Sequence, residues 1–201
     1  RTNANNNPMA IWHDTPITVE DVVNSRIVAD PLHLLECVMP CAGACCFIVT
    51  RADSTNTGDA DEMLACLEWI LEQNTVSGPY MGRVDPSKIG ASGHSQGGGG
   101  TLMTGRDARI TATAPLQPYI LGGLGGFQSS SIAQQRGPMF LVSGSDDTVA
   151  TPSRNQQPVF DDTNVPVFWG TLQGATHPGT AIGSIGGYRG PATAWFRLHL
   201  M

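Results

Sequence analysis

Apolar positions follow two rhythms along this chain. From Asp59 to Gln73 they recur at Met63, Leu64, Leu67, Ile70 and Leu71, which is one face of a helix. Acids gather at its N-terminal end, where the helix dipole favours them, and Ser77-Gly78-Pro79 stops it. The second rhythm is a set of short apolar runs: Phe47 to Thr50, Lys88 to Ser92, Ile110 to Ala114, Met139 to Ser143 and Val165 to Thr171. Each reads as a strand, with Phe47 to Thr50 and Met139 to Ser143 read as buried. Gly97 to Gly105 and Thr193 to Leu200 read as further helices, the last with Trp195, Phe196 and Leu198 available to pack. Short strands alternating with helices predict an α/β fold, a parallel sheet covered by helices on both faces.

Candidate chemistry enters where the Lys88–Ser92 strand gives way to Gly93-His94-Ser95-Gln96-Gly97. A serine on a tight strand-to-helix turn needs small neighbours, because a Cβ beside it would collide with the adjoining strand or helix. Such a turn lifts the hydroxyl out of the sheet and aims the N–H of Gln96 at a developing oxyanion. The alternative is that Gly97 to Gly100 form a flexible loop. Of the elbow residues, His94 is expected to point its side chain away. A serine nucleophile also needs a histidine base and a carboxylate to orient it. In strand-end order, the acid falls at Asp146 or Asp147, just past the Met139–Ser143 run. The base falls at His177, in the Gly174-Ala175-Thr176-His177-Pro178-Gly179 loop after the next strand. His13, His33 and His199 have no comparable context. Spacing alone leaves both aspartates open.

From about Phe47 to Met201 the chain resembles the α/β-hydrolase superfamily, in particular cutinase-like and polyester-hydrolase-like esterases related to dienelactone hydrolases. The matching pieces are Gly93 to Gly98, Ala114-Pro115-Leu116-Gln117-Pro118-Tyr119, Asp147-Thr148-Val149-Ala150 and Gly174 to His177. The resemblance implies Ser95 as nucleophile, Asp147 as acid, His177 as base and the Gln96 N–H as one oxyanion donor. It also implies Tyr119 as a wall of the acyl pocket. Trp169 offers a second aromatic wall, although its place midway along an apolar strand equally suits a core side chain. The expected organisation is a single α/β-hydrolase domain over residues 1–201, with 1–52 atypical and 53–201 carrying the core.

The first fifty residues depart from that family. Pro16 to Glu36, continued by Pro40-Cys41-Ala42-Gly43-Ala44, resembles a stretch of the sterol-carrier-type thiolases. A fusion is therefore expected, with its seam near Ile48 to Ser54, on a hydrolase that is N-terminally truncated or rebuilt. No thiolase catalytic motif accompanies the fragment. Pro8 to Trp12 is expected to fill the sheet position beside the elbow strand, followed by a helix from Val19 to Cys37 interrupted near Asp30-Pro31. An N–H of Asp14 or Thr15 would then be the second oxyanion donor. The alternative has this segment packing elsewhere or joining two copies as a homodimer.

Composition narrows the classes. The chain has 201 residues, 40% hydrophobic, with no apolar run near the roughly 20 residues that span a bilayer. A net charge of −6, with Lys88 the sole lysine, supplies no basic stripe for nucleic acid or a membrane surface. Cys37, Cys41, Cys45, Cys46 and Cys66 lack paired Cys-x-x-Cys spacing, so a metal site is not expected. Free thiols favour a reducing compartment, whereas related esterases are often secreted, and no leader-like segment opens the chain. Asp59, Asp61 and Glu62 read as a solvated helix start rather than a cation site. Gly122 to Gly126 and Ser129 to Ser131 read as a polar, flexible stretch with no lid. The expected activity is cofactor-free serine carboxylester hydrolysis of small or short-chain esters. Its rivals are a polyester hydrolase, a silent fusion with a broken oxyanion hole, a thiolase-like assembly module and an amidase.

Overall fold

The computed structural model describes residues 18–29, 32–33, 60–121, 127–178 and 186–201. Residues Arg1–Met39 and Pro40–Met201 form two compact units. In the first, α1 is the short helix Val19–Val23, opened by a capping box: the Asp21 N–H donates to Thr18 Oγ1 at 3.1 Å, and the Thr18 N–H donates to Asp21 Oδ2 at 2.7 Å. The long helix expected from Val19 to Cys37 does not form. The strand β1 (Ile27–Ala29) instead pairs antiparallel with β2 (Leu32–His33). Two causes act together. Val19 and Val23 stay exposed, so no buried face prolongs the helix, and the β-branched pair Ile27-Val28 favours extended backbone. Pro8 to Trp12 and Phe47 to Thr50 lie outside the described residues.

The second unit is built on a fully parallel sheet in the order β3 (Ile89–His94), β4 (Ile110–Leu116), β5 (Met139–Gly144), β6 (Val167–Leu172). Helices cover both faces, as expected. Met139 and Leu141 point to one side, where Leu102 of α3 (Gln96–Thr104) and Val159 of α4 (Gln156–Asp162) pack on them. Phe140 and Val142 point to the other, against Phe196 and Leu200 of α5 (Arg189–Leu200). This two-sided burial is why β5 reads as an unbroken apolar run rather than an alternating one. On α2 (Asp61–Gln73) the buried stripe is Met63, Leu67 and Ile70, which packs with Ile89, Ala91 and Ile110. Helix α5 begins four residues before its expected start at Thr193. Pro191 sits in its first turn, where the missing N–H costs nothing.

Neutral carboxamides fasten the loops. Asn155 Oδ1 accepts the Ile120 N–H at 3.0 Å, and Gln156 Nε2 donates to Pro118 O at 3.1 Å. Gln135 Nε2 donates to Leu102 O at 2.7 Å, while Asn164 holds the Gln135 backbone through both its N–H and its carbonyl. Ser129–Gln134 is a 3-10 helix with Ser131 and Ile132 buried, not the flexible stretch its composition suggests. The Ser131 hydroxyl turns inward to donate to Gln128 O at 2.6 Å. At the sheet's C-terminal edge, the buried Tyr188 hydroxyl accepts the Leu172 N–H at 3.1 Å and donates to Ser143 O, joining β6 to β5. Burial pushes that phenol up to about 12. Among the described residues, no helix is long and apolar enough to cross a membrane.

Candidate active site

Ser95 stands between β3 and α3 with φ 57° and ψ −117°, a region that costs a non-glycine residue about 1–3 kcal/mol. Its neighbours hold it there. The Ser95 N–H donates to Leu116 O at 3.0 Å, and Ser95 O accepts the N–H groups of Gly99 and Tyr119 at 3.1 and 2.9 Å. The two motif glycines are not equivalent. A Cβ on Gly93 would lie 2.3 Å from Gly97 O, whereas one on Gly97 would meet nothing within 4 Å. The steric demand expected on both sides of the serine therefore falls on Gly93 alone. Further along α3, a Cβ on Gly98 would sit 2.7 Å from Pro118 Cα, so the glycine run forms a close-packed helix rather than a flexible loop.

Asp147 and His177 follow β5 and β6, and parallel strands bring both to the edge that carries Ser95. His177 Nε2 lies 2.7 Å from Ser95 Oγ, and His177 Nδ1 lies 2.7 Å from Asp147 Oδ2. In the Nδ1–H tautomer the ring donates to the carboxylate and accepts from the hydroxyl. The Asp147 side chain is wholly buried, and its Oδ1 accepts the N–H groups of Val149 and Ala150 at 2.9 and 2.8 Å. The adjacent Asp146 is exposed, and its Oδ1 accepts from Ser145 Oγ at 2.7 Å.

Two residues joined to this cluster escaped the sequence reading. His94 turns toward the site rather than away: its ring centroid is 4.7 Å from that of His177, and its Nε2 faces His177 O at 2.9 Å. Burial, and then the neighbouring imidazole of His177, hold its pKa below the ordinary histidine value. Gln117, fully buried, donates from Nε2 to Asp147 Oδ2 at 2.7 Å. The variable position inside an elbow carries no local signal for the first. For the second, a polar residue between two prolines at the end of a buried strand was the available clue.

The other expected residues fall as follows. Gln96 is the first residue of α3, so its N–H has no acceptor within the helix. Tyr119 is half-buried, with its backbone bonded to Ser95 O. Trp169 packs against the cluster containing Met139, Leu141 and Val159, and its Nε1–H donates to Ser143 Oγ at 2.8 Å. Its contacts are those of a core side chain. Asp14 and Thr15 lie outside the described residues, as do Cys37, Cys41, Cys45 and Cys46. Cys66 is exposed on α2. Among the described residues, no cluster of His, Cys, Asp or Glu could hold a metal ion, and Asp61 and Glu62 simply begin α2.

The sequence matches the model of a family described as PETase, PET hydrolase-like, over residues 45–180. Cutinase 2 of Thermobifida cellulosilytica is 28% identical over 161 residues, which cover 75% of this chain and 57% of that protein. Bis(hydroxyethyl) terephthalate hydrolase of Streptomyces coelicolor is 28% identical over 120 residues, covering 57% of this chain and 35% of that protein. A separate, short similarity is to the 17-hydroxy-3-oxo-4-pregnene-20-carboxyl-CoA lyase of Mycobacterium tuberculosis, 48% identical over 52 residues, or 26% of this chain and 14% of that protein. The chain spans about half the length of the curated cutinases it matches.

Proposed function

We infer the function from the family: the chain belongs to the PET hydrolase-like family, and on that premise it is a serine carboxylester hydrolase. The observation that carries the reading is the relay from Ser95 Oγ through both ring nitrogens of His177 to Asp147, with 2.7 Å at each link. Ser95 Oγ attacks the ester carbonyl carbon while its proton passes to His177 Nε2. Asp147 keeps Nδ1 protonated in the neutral ring and stabilises the imidazolium once it forms. The tetrahedral oxyanion takes a hydrogen bond from the Gln96 N–H, a type of donor whose loss typically costs about 10²–10³ in turnover. His177 then protonates the leaving alcohol. Water, deprotonated by His177, attacks the acyl-enzyme and releases the acid. No step calls on a metal or an organic cofactor.

Small or short-chain esters are the proposed substrates. A polyester is the second reading, favoured by relatives named as a cutinase and as a bis(hydroxyethyl) terephthalate hydrolase. Ser95→Ala in the full chain is expected to abolish hydrolysis of short-chain nitrophenyl esters. Undiminished turnover in that variant would refute the assignment. A fluorophosphonate probe separates the enzyme from a silent fusion, because only an activated serine reacts quickly. Product release from a polyester film, measured against soluble esters, decides between the two substrate classes.

A further inference from the structure

We propose that Gln117 is a positioning residue for the relay, acting on Asp147 and on the loop that carries His177. The proposal rests on the esterase reading above. Gln117 follows β4, fully buried, at φ 42°. Its backbone N–H donates to Val142 O at 2.9 Å, which anchors it to β5. Its Nε2 reaches Asp147 Oδ2 at 2.7 Å and Thr176 O at 3.3 Å. His94 faces the same loop from its own side, with Nε2 2.9 Å from His177 O. One carboxamide therefore touches both the acid and the residue preceding the base.

Three features distinguish this from a polar side chain that merely found a partner. First, the oxygen it contacts is Oδ2, the same atom that faces His177 Nδ1, while Oδ1 is held by Val149 and Ala150. Two anchors on Oδ1 do not stop the carboxylate from rocking about its bond to Cβ. The Gln117 donor on Oδ2 does, and it aims the remaining lone pair at the imidazole. Second, the carboxamide is closely enclosed: a Cβ on Gly144, already 2.3 Å from Ala175 O, would also lie 2.8 Å from Gln117 Nε2. Third, the positive φ is costly for a side chain of this size, and it persists where surrounding contacts over-determine it. The alignment matters most when His177 carries its second proton, because Asp147 must then face Nδ1–H squarely. Loss of Gln117 should accordingly lower kcat and leave KM nearly unchanged.

Gln117→Met, close in shape and without a donor, tests this. The expected result is a fall in kcat of about 10- to 100-fold, the range for losing a hydrogen bond to a charged group. KM should stay within about twofold of the parent. The downfield NMR resonance of the His177 Nδ1 proton should move or broaden, which a purely structural role would not cause in a variant that melts normally. A kcat equal to the parent's with an unmoved resonance overturns the proposal. Where the Met variant fails to fold, Gln117→Leu removes the donor with a side chain of similar volume that carries no titratable group. It should show the same loss at pH 8, and full kcat there overturns the proposal equally. Ser95→Ala run alongside separates the two layers of inference. Turnover surviving in Ser95→Ala ends the esterase reading and this proposal with it. An inactive Ser95→Ala beside a fully active Gln117→Met ends this proposal alone.

Discussion

Exchanging each motif glycine for alanine in turn isolates what holds Ser95 in place. On Gly93 the new methyl would lie 2.3 Å from Gly97 O, and atoms of this kind essentially never approach closer than 3.0 Å. Strand β3 and the first turn of α3 must therefore separate by at least about 0.7 Å. The obstacle is backbone, so no rotamer change relieves it. Ser95 lies between the two points, and its 2.7 Å contact with His177 has little slack. A misplacement near 1 Å can cost on the order of 10²-fold in rate, and forced overpacking destabilises by about 1–3 kcal/mol. Gly93→Ala should thus lose roughly 10- to 100-fold in kcat/KM. Its melting temperature should drop by about 2 °C or more. Gly97→Ala meets open space inside a helix and gains from the stiffer residue, so its melting temperature should rise by about 1–4 °C. Nitrophenyl ester kinetics and thermal melts on both variants decide the matter. Gly93→Ala matching the parent in both measurements would refute the reasoning.

Two further expectations concern stability. Tyr188→Phe removes the hydroxyl that joins the ends of β5 and β6, leaving the Leu172 N–H and Ser143 O without it. The cost should be about 1–3 kcal/mol in chemical denaturation, and an unchanged midpoint would contradict this. His94 has a depressed pKa, so as the pH falls the unfolded chain takes up the proton first. Its contribution to stability is therefore present above about pH 6.5 and is lost progressively below it. Denaturation at pH 7.5 and 5.5 should show His94→Gln losing less stability on acidification than the parent, and equal losses would refute the assignment.

How much could be read in advance depended on whether a residue announces itself locally. Ser95, the Asp146-Asp147 pair and His177 each follow an apolar run that breaks into a glycine-containing loop, and their order along the chain is part of the pattern. Parallel pairing then brings the three loops to one edge with no further information required. His94 and Gln117 lack that advantage, because their significance lies wholly in which side chain they meet across about 83 and 30 positions respectively. The Val19–Cys37 helix shows the opposite failure. It is expected only as the element following a strand at Pro8 to Trp12, but α1 buries none of its residues, and a short helix without a surface to pack on is not prolonged. Ser129–Ser131 departs from its polar composition because a serine whose hydroxyl bonds to backbone can be buried like an apolar residue.

The carboxamide fastenings carry a chemical liability that charged ones would not. Amides have no charge to titrate and little for salt to screen, so the loops around Ser95 keep their tethers across a wide range of acidity and ionic strength. Their weakness is slow hydrolysis on prolonged heating. Deamidation of Gln156 would turn its nitrogen into an oxygen facing Pro118 O, exchanging a tether for a repulsion. The same change at Asn155 keeps an acceptor for the Ile120 N–H but replaces the group that reaches Thr151 O. Irreversible ageing of this protein at high temperature should therefore begin as loosened loops at the sheet edge beside Ser95, ahead of any melting of the sheet beneath.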